Sequence, residues 1–271
     1  VAVFPRTRRD RGAPVGRPGP ALGDHEPQGT LAPHLPRRGI QLFKPGVLYA
    51  PRPNWRWVRQ MTHLFVTRLT TDLSGHWETY NVTLTPINWQ LESGDRVELS
   101  VLPEGDRLPE PFEIAEGLAI PPGTYHWRRY KAEVGLAPKR RLSGRVTGLW
   151  GGFYEGSLEQ VQFAVTWTPT ALITLELSGG RDWAVLPEGD FTRDLVGTRV
   201  KLNVSPDLIM SSFLQYDNVS DSFGTNTRLR WTFHPLGDLF LIYNYNVLDL
   251  ADRYAADTNQ LLVKLQYTIR R

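Results

Sequence analysis

The sequence predicts an all-β chain folded as an antiparallel, up-and-down transmembrane β-barrel of about 12–13 strands. Residues 194–245 carry the first observation. Val196, Thr198, Val200, Leu202 and Val204 alternate with Leu195, Gly197, Arg199, Lys201 and Asn203, the period of two that sends one set to each face of a strand. Leu229, Trp231 and Phe233 oppose Arg228, Arg230 and Thr232 in the same way, and Leu239, Leu241, Tyr243 and Tyr245 end in two rings. The second observation is the connections. Residues 205–207 and 235–238 are very short, whereas 218–225 is longer and polar, and short turns on one side with long loops on the other mark outer-membrane barrels. Third, no run approaches the roughly 18 apolar residues of a spanning helix. A mean hydropathy of −0.33 still allows barrel strands, because only alternate residues meet lipid.

Taken in order, residues 1–38 are rich in Pro, Gly and Arg and lack apolar periodicity. Such a segment buries too little surface to offset chain entropy and is expected to be disordered; the barrel domain takes 39–271. Strands are expected at 40–49, 56–71, 77–91 and 96–102, punctuated by a Pro-rich breaker at 51–54 and by the Ser74-Gly75 and Ser93-Gly94-Asp95 turns. The prolines of 103–124 make it the longest expected loop. Strands at 125–134, 141–151, 158–168 and 171–178 follow, with tight turns at 137–139 and 168–170, and 179–193 reads as a second long loop. After the 194–245 region, 247–259 reads as a third. The closing strand, 260–269, places Leu261, Val263, Leu265, Tyr267 and Ile269 on one face and Lys264, Gln266 and Thr268 on the other. The short connections at 51–54, 93–95, 137–139, Pro169, 205–207 and 235–238 are therefore expected at one end, periplasmic by barrel convention, and the three long loops at the other.

Trp77, Trp127, Trp150, Trp167, Trp231, Tyr245 and Tyr267 lie near strand ends and are expected as interface aromatics, since an amphipathic ring is most comfortable at the membrane boundary. Arg199, Lys201, Arg228, Arg230 and Lys264 fall on the polar faces of neighbouring late strands. In a barrel they would form a basic wall of the lumen, with pairing to inward acids such as Glu176 as the competing expectation.

The totals exclude several classes. The chain has no cysteine, so disulfides and thiolate chemistry are ruled out. Its formal charge is +3, but the arginines crowd the first fifty residues and give no argument for nucleic acid as a partner. Glu104, Asp106, Glu110, Glu113 and Glu116 cluster in one expected loop, and Asp182, Glu188 and Asp190 in another; the phrase VLPEGD occurs in both. Paired carboxylates can do acid/base work on a glycoside, but Pro-Glu-Gly-Asp is also turn chemistry reused at two strand ends. The histidines (His25, His34, His63, His76, His126, His234) lack an HExxH spacing, no serine sits in a GxSxG elbow, and the glycines of Trp150-Gly151-Gly152-Phe153 lack a following Lys-Ser/Thr. No catalytic residue, cofactor or metal site is expected, and those glycines are expected to relieve crowding at a strand-to-loop bend.

Several phrases fall in order along residues 35–269: LPRRGI with YAPRP, TDLSGHWETYNVTLTP, SGDRVELSV, IPPGTYHWRRY, LSGRVTGLWGGFYEG, LPEGDF and SSFLQYDNVSDSFGTNTRLRWTFHPLGDLFLIYN. On these the chain resembles the carboxy-terminal barrel domain of a family of large Gram-negative outer-membrane proteins, a domain of unknown function whose amino-terminal part looks like a carbohydrate-binding module. The resemblance implies an outer-membrane location, with outer-membrane lipid and the barrel assembly machinery as partners, and carbohydrate reached only through an upstream module. It brings no enzymatic activity. The expected role is a pore, export element or membrane anchor; the alternative is a soluble all-β carbohydrate-binding or glycoside hydrolase-associated domain whose rings are sugar platforms. Counting from residue 40 gives an odd number of strands, whereas single-chain bacterial barrels are even-stranded. The chain is therefore expected to be part of a larger barrel with further strands upstream.

Overall fold

The computed structural model describes residues 39–115, 117–218, 222–249 and 254–269. The segment 1–38, Glu116 and the last two arginines lie outside the described residues. The protein is all-β and antiparallel, and among the described residues there is no helix. The strands are β1 (Ile40–Phe43), β2 (Gly46–Tyr49), β3 (Val58–Met61), β4 (His63–Asp72), β5 (Trp77–Leu91), β6 (Arg96–Leu108), β7 (Phe112–Ala115), β8 (Leu118–Ile120) and β9 (Gly123–Leu136). They continue as β10 (Leu142–Phe153), β11 (Gly156–Thr170), β12 (Ile173–Leu186), β13 (Gly189–Ser205), β14 (Leu208–Asp217), β15 (Ser222–His234), β16 (Gly237–Asp249) and β17 (Tyr254–Tyr267).

All but β7 and β8 form one sheet, which follows the chain from β1 to β17 without a crossover. β1 and β2 share a single register on β4, with Phe43 opposite Leu69 and Gly46 opposite Val66. They are one strand interrupted at Lys44-Pro45, where proline has no N–H to give to the ladder. β3 and β4 likewise continue one another along β5. With each broken pair taken as one strand, thirteen strands among the described residues run up and down in turn, as the sequence count expects. Among the described residues no ladder joins β1 or β2 to β17, so the sheet has two free edges.

Up-and-down order puts alternate connections at the same end, and the tight turns at 92–95, 138–141, 171–172, 206–207 and 235–236 share one. Two neighbouring turns there touch, as Asp95 accepts from the Ala137 N–H at 2.9 Å and from Arg140 at 2.8 Å, and the 206–207 turn is tied to β15 by the Thr232 N–H, which donates to the Asp207 carbonyl at 2.8 Å. The opposite end departs from expectation, because two of its three long loops are strand. Residues 179–193 continue β12 and β13 to a tight turn at Pro187-Glu188, with Leu186 opposite Gly189. β16 runs to Asp249 and β17 starts at Tyr254, so most of 247–259 is paired as well. The 103–124 segment also begins as strand, since β6 extends to Leu108. Pro103 fits there because the β5–β6 ladder is broken beside it: Asn81–Glu104 and Leu84–Val101 are paired, and the positions between are not. Only 109–122 is a long connection, and it carries the β7–β8 hairpin. The 168–170 turn is also displaced: Pro169 sits at a register shift inside β11, and the turn follows at Ala171-Leu172.

Cross-strand register sorts the side chains into two faces. One face carries the row Ile173–Leu202–Met210–Leu229–Leu241–Val263 across β12 to β17. The other carries Ser100–Lys131–Leu149–Gln160–Asp182–Arg193 across β6 to β13. The accessibilities invert those of a water-soluble protein. Glu98, Glu104, Asp106, Arg129, Glu133, Gln160 and Asp182 are buried, whereas Val134, Val146, Val161, Leu177, Val196 and Val263 are exposed. A single sheet can bury one face in this way only by curving around it, so the polar face is inward.

Candidate functional site

The inward face is built in tiers along β6, β9, β11 and β12. At the end that carries the long connection, the β7–β8 hairpin folds over it. Ile120, Leu108, Tyr125, Phe153, Tyr154, Leu158, Ala184 and Leu186 form a closed apolar core, with Phe112, Ile114, Trp127 and Phe191 packed against it. Two glycines permit the close approach. A Cβ on Gly189, whose φ is +142°, would lie 2.5 Å from Leu118 of the hairpin, and one on Gly151, at φ +137°, would lie 2.4 Å from the Arg128 carbonyl. Gly151 thus relieves crowding between two paired strands, β9 and β10, rather than at the strand-to-loop bend expected of that glycine pair, because both glycines lie within β10.

Beneath this cap lies a tier of buried charge. Asp106 accepts from the Thr79 hydroxyl at 2.9 Å and the Tyr154 hydroxyl at 3.3 Å, and Glu104 accepts from the Trp127 indole at 2.8 Å. Arg129, only 1% exposed, donates to the Gln160 carbonyl oxygen. The Gln160 amide donates on to Asp182 at 2.9 Å, and Arg193 closes the chain onto Asp182 at 2.7 Å. Further along, Lys131 bridges Glu98 at 2.9 Å and Glu133 at 3.1 Å. Arg96 also bonds Glu98, and Thr147 donates to Glu133 at 3.2 Å. Acids and bases alternate through both tiers, so neighbouring charges are compensated where burial would make a lone one costly.

The sequence-predicted acids divide between these settings. Glu104, Asp106 and Asp182, expected in two solvated loops, meet on strands inside the sheet and are bound into the network. Glu113 instead accepts from the Gly117 N–H within the hairpin at 3.1 Å, and Glu188 sits in the β12–β13 turn. The two VLPEGD phrases therefore differ: residues 185–190 make a turn, and residues 101–106 are extended throughout. Arg96, Glu98, Arg129, Lys131, Glu133 and Gln160 were not singled out by the sequence reading. Their signal was present as the alternation of Arg129, Lys131 and Glu133 with Tyr130, Ala132 and Val134. Among the described residues no group of three or more His, Asp or Glu could hold a metal ion.

All five residues of the expected basic wall share the inward face. Lys201 and Arg228 flank Ser211 in register, and Arg230 and Lys264 both lie opposite Phe240. Arg199 donates to Glu176 at 3.0 Å and sits 5.1 Å from the Phe213 ring centre. Arg230 approaches Asp238 at 3.9 Å. Arg228 and Lys264 pack on the Phe240 ring, 4.9 and 5.9 Å from its centre. The expected pairing with Glu176 thus holds for Arg199, while the basic character of the wall is kept by its neighbours.

On the outward face Trp167, Trp231 and Tyr267 are about half exposed near the tight-turn end, joined there by a cluster of Trp55, Trp57 and Trp89 with ring centres 5.6–6.2 Å apart. Towards the other end stand Trp77 packed with Tyr80 and His126, Trp150 stacked on Tyr130, and Tyr243 stacked on Tyr245. Trp127 is the exception: it faces inward, with its indole on Glu104 and its ring 4.8 Å from that of Tyr154. Its place next to a strand start made it look like the others, but its parity matches Arg129 and Lys131. Phe223 and Trp231 on β15 are separated by about 26 Å at the usual rise of a strand, close to the height of a barrel's apolar band. Between these levels the outward residues of β9 to β15 are aliphatic, aromatic, Gly, Ala, Ser or Thr; the charged Arg128, Glu159, Arg181 and Asp194 lie at the cap end. No family model matches the chain, and no curated protein or solved structure matches it.

Proposed function

We propose that this sheet is the wall of an outer-membrane β-barrel, part of a larger closed structure, that serves as a conduit or as a membrane anchor for a binding module and carries out no chemistry of its own. The single observation behind this reading is the inversion of the two faces: charged side chains within, and an uncharged apolar band outside bounded by aromatic residues at two levels. Water would penalise that outward face, and lipid rewards it. The strands of the main run are 10–17 residues long, enough to cross a hydrocarbon layer when tilted. Two free edges in lipid would leave backbone groups unpaired at several kcal/mol each, which supports complementation by additional strands. The resemblance to Gram-negative outer-membrane barrels points the same way and supplies the barrel assembly machinery as the partner that would insert it.

A soluble carbohydrate-binding domain would hide its apolar faces between two sheets, and here one sheet carries both the apolar and the polar face. The test is extraction into mild detergent followed by electrophoresis with and without boiling. A barrel wall migrates differently when heated; a single heat-independent band, together with solubility in the absence of detergent, would refute the reading.

A further inference from the structure

We infer that the inward face of β13–β17 is a binding wall for an elongated ligand bearing several oxoanion groups, such as phosphates, sulfates or carboxylates. The inference rests on the reading of this face as the inside of a conduit. Its first support is an internal control. Along β6–β12 the same face interleaves acids with bases, and the acids are the more numerous: Glu98, Glu104, Asp106, Glu133, Glu176 and Asp182 stand with Arg96, Arg129, Lys131 and Arg145. Along β13–β17 the bases dominate. Arg199, Lys201, Arg228, Arg230 and Lys264 face Glu176 and Asp238, and Asp217 lies at the far, capped end. Among the described residues no carboxylate lies within 4.0 Å of Lys201, Arg228 or Lys264.

The second support is preorganisation. A solvated surface lysine or arginine usually extends into water, but here Phe213 holds Arg199, and Phe240, itself only 9% exposed, holds both Arg228 and Lys264. Such packing keeps the cation over a ring face, lowers the entropy lost when an anion binds and leaves its donors free. The arrangement also sets the shape of the ligand. Lys201, Arg228 and Lys264 lie on β13, β15 and β17, each two strands apart, so roughly 10 Å separates successive backbones. A single small oxoanion meets one or two of these cations, whereas a chain of anionic groups meets all of them.

The test uses the whole chain refolded in detergent micelles and, separately, in liposomes. Calorimetric titration with inorganic phosphate and with linear polyphosphate should show saturable binding, at least about tenfold tighter for polyphosphate and weakening as salt rises. The triple variant Lys201→Gln/Arg228→Gln/Lys264→Gln should lose at least about tenfold in polyphosphate affinity, while Lys139→Gln, which removes one charge from a tight turn, should not. Equal losses in both variants, or no saturable binding, would overturn the inference as non-specific charge only; equal affinity for the two probes would overturn the elongated ligand. Flotation of the refolded chain with liposomes reads the membrane assignment separately. A chain that floats but does not bind refutes the wall alone, and one that binds in micelles but never floats refutes the membrane reading alone.

Discussion

Glu98, Glu104, Asp106, Glu133 and Asp182 interleave with Arg96, Arg129 and Lys131 on the inward face of β6–β12, while the inward face of β13–β17 gathers Arg199, Lys201, Arg228, Arg230 and Lys264. The first group runs from beneath the apolar cap towards the tight-turn end and is buried apart from the half-buried Lys131 and the exposed Arg96; the second is partly open, and its Arg199, Arg228 and Lys264 rest on phenylalanine rings. The difference teaches where charge is structural and where it is available. In a buried network each ion holds its neighbours in place, because removing one leaves the others uncompensated in a poorly solvated setting. On the open wall water can replace a lost partner at little cost. Stability should therefore respond to the first group and ligand binding to the second.

The sharpest way to break this contrast is Arg129→Ala. It leaves Glu104 and Gln160 without their cation and Asp182 with Arg193 alone, and should lower unfolding stability by about 3–5 kcal/mol, read by reversible urea unfolding in micelles. Leu158→Ala, which opens the cap core at its fully buried centre, should cost about 2–4 kcal/mol in the same assay and loosen the β7–β8 hairpin, visible as faster amide exchange at Ile120. Lys201→Gln should cost less than about 1 kcal/mol. A Lys201→Gln loss as large as that of Arg129→Ala would erase the distinction between the two regions.

The smallest effect is at the tight-turn end. Asp95 is held down to about 2 by the Ser93 hydroxyl first, then by the Ala137 N–H and Arg140. Its folded value lies below the ordinary one of about 3.9, so the ionised form favours the docked turn. That contribution is complete above about pH 4 and is lost as pH falls towards 2. Carbon-detected NMR titration of the Asp95 carboxyl should show its midpoint near 2, rising towards the ordinary range in Ser93→Ala. A midpoint that stays put in that variant would remove the hydroxyl as the leading cause.

What could be read from the sequence followed from period two. The alternation around Val200, Trp231 and Leu265 located strands, faces and the basic wall, because burying one face and exposing the other leaves a local mark. Prolines and glycines misled. VLPEGD is a turn at 185–190, where Leu186 and Gly189 close a hairpin, yet extended at 101–106, where β9 pairs along its whole length and the β5 ladder is already broken beside Pro103. Tertiary pairing decided between two conformations that the hexapeptide allows equally. The salt-linked tiers escaped for a related reason: Arg129 and Asp182 are 53 positions apart in the sequence, and only the register of three ladders brings them to one level. Trp127 shows the limit of judging a ring by its distance from a turn, since parity places it inside.

The outward face is the centre of this account, and the absence of native cysteine makes it directly accessible. Single cysteines at each position from 161 to 166 of β11, labelled with a bimane probe in liposomes carrying a spin-labelled lipid, report which side chains touch hydrocarbon. Quenching should alternate, strong at Val161, Phe163 and Val165 and weak at Gln162, Ala164 and Thr166. Uniform quenching, or the opposite phase, would contradict a lipid-facing apolar band on this sheet.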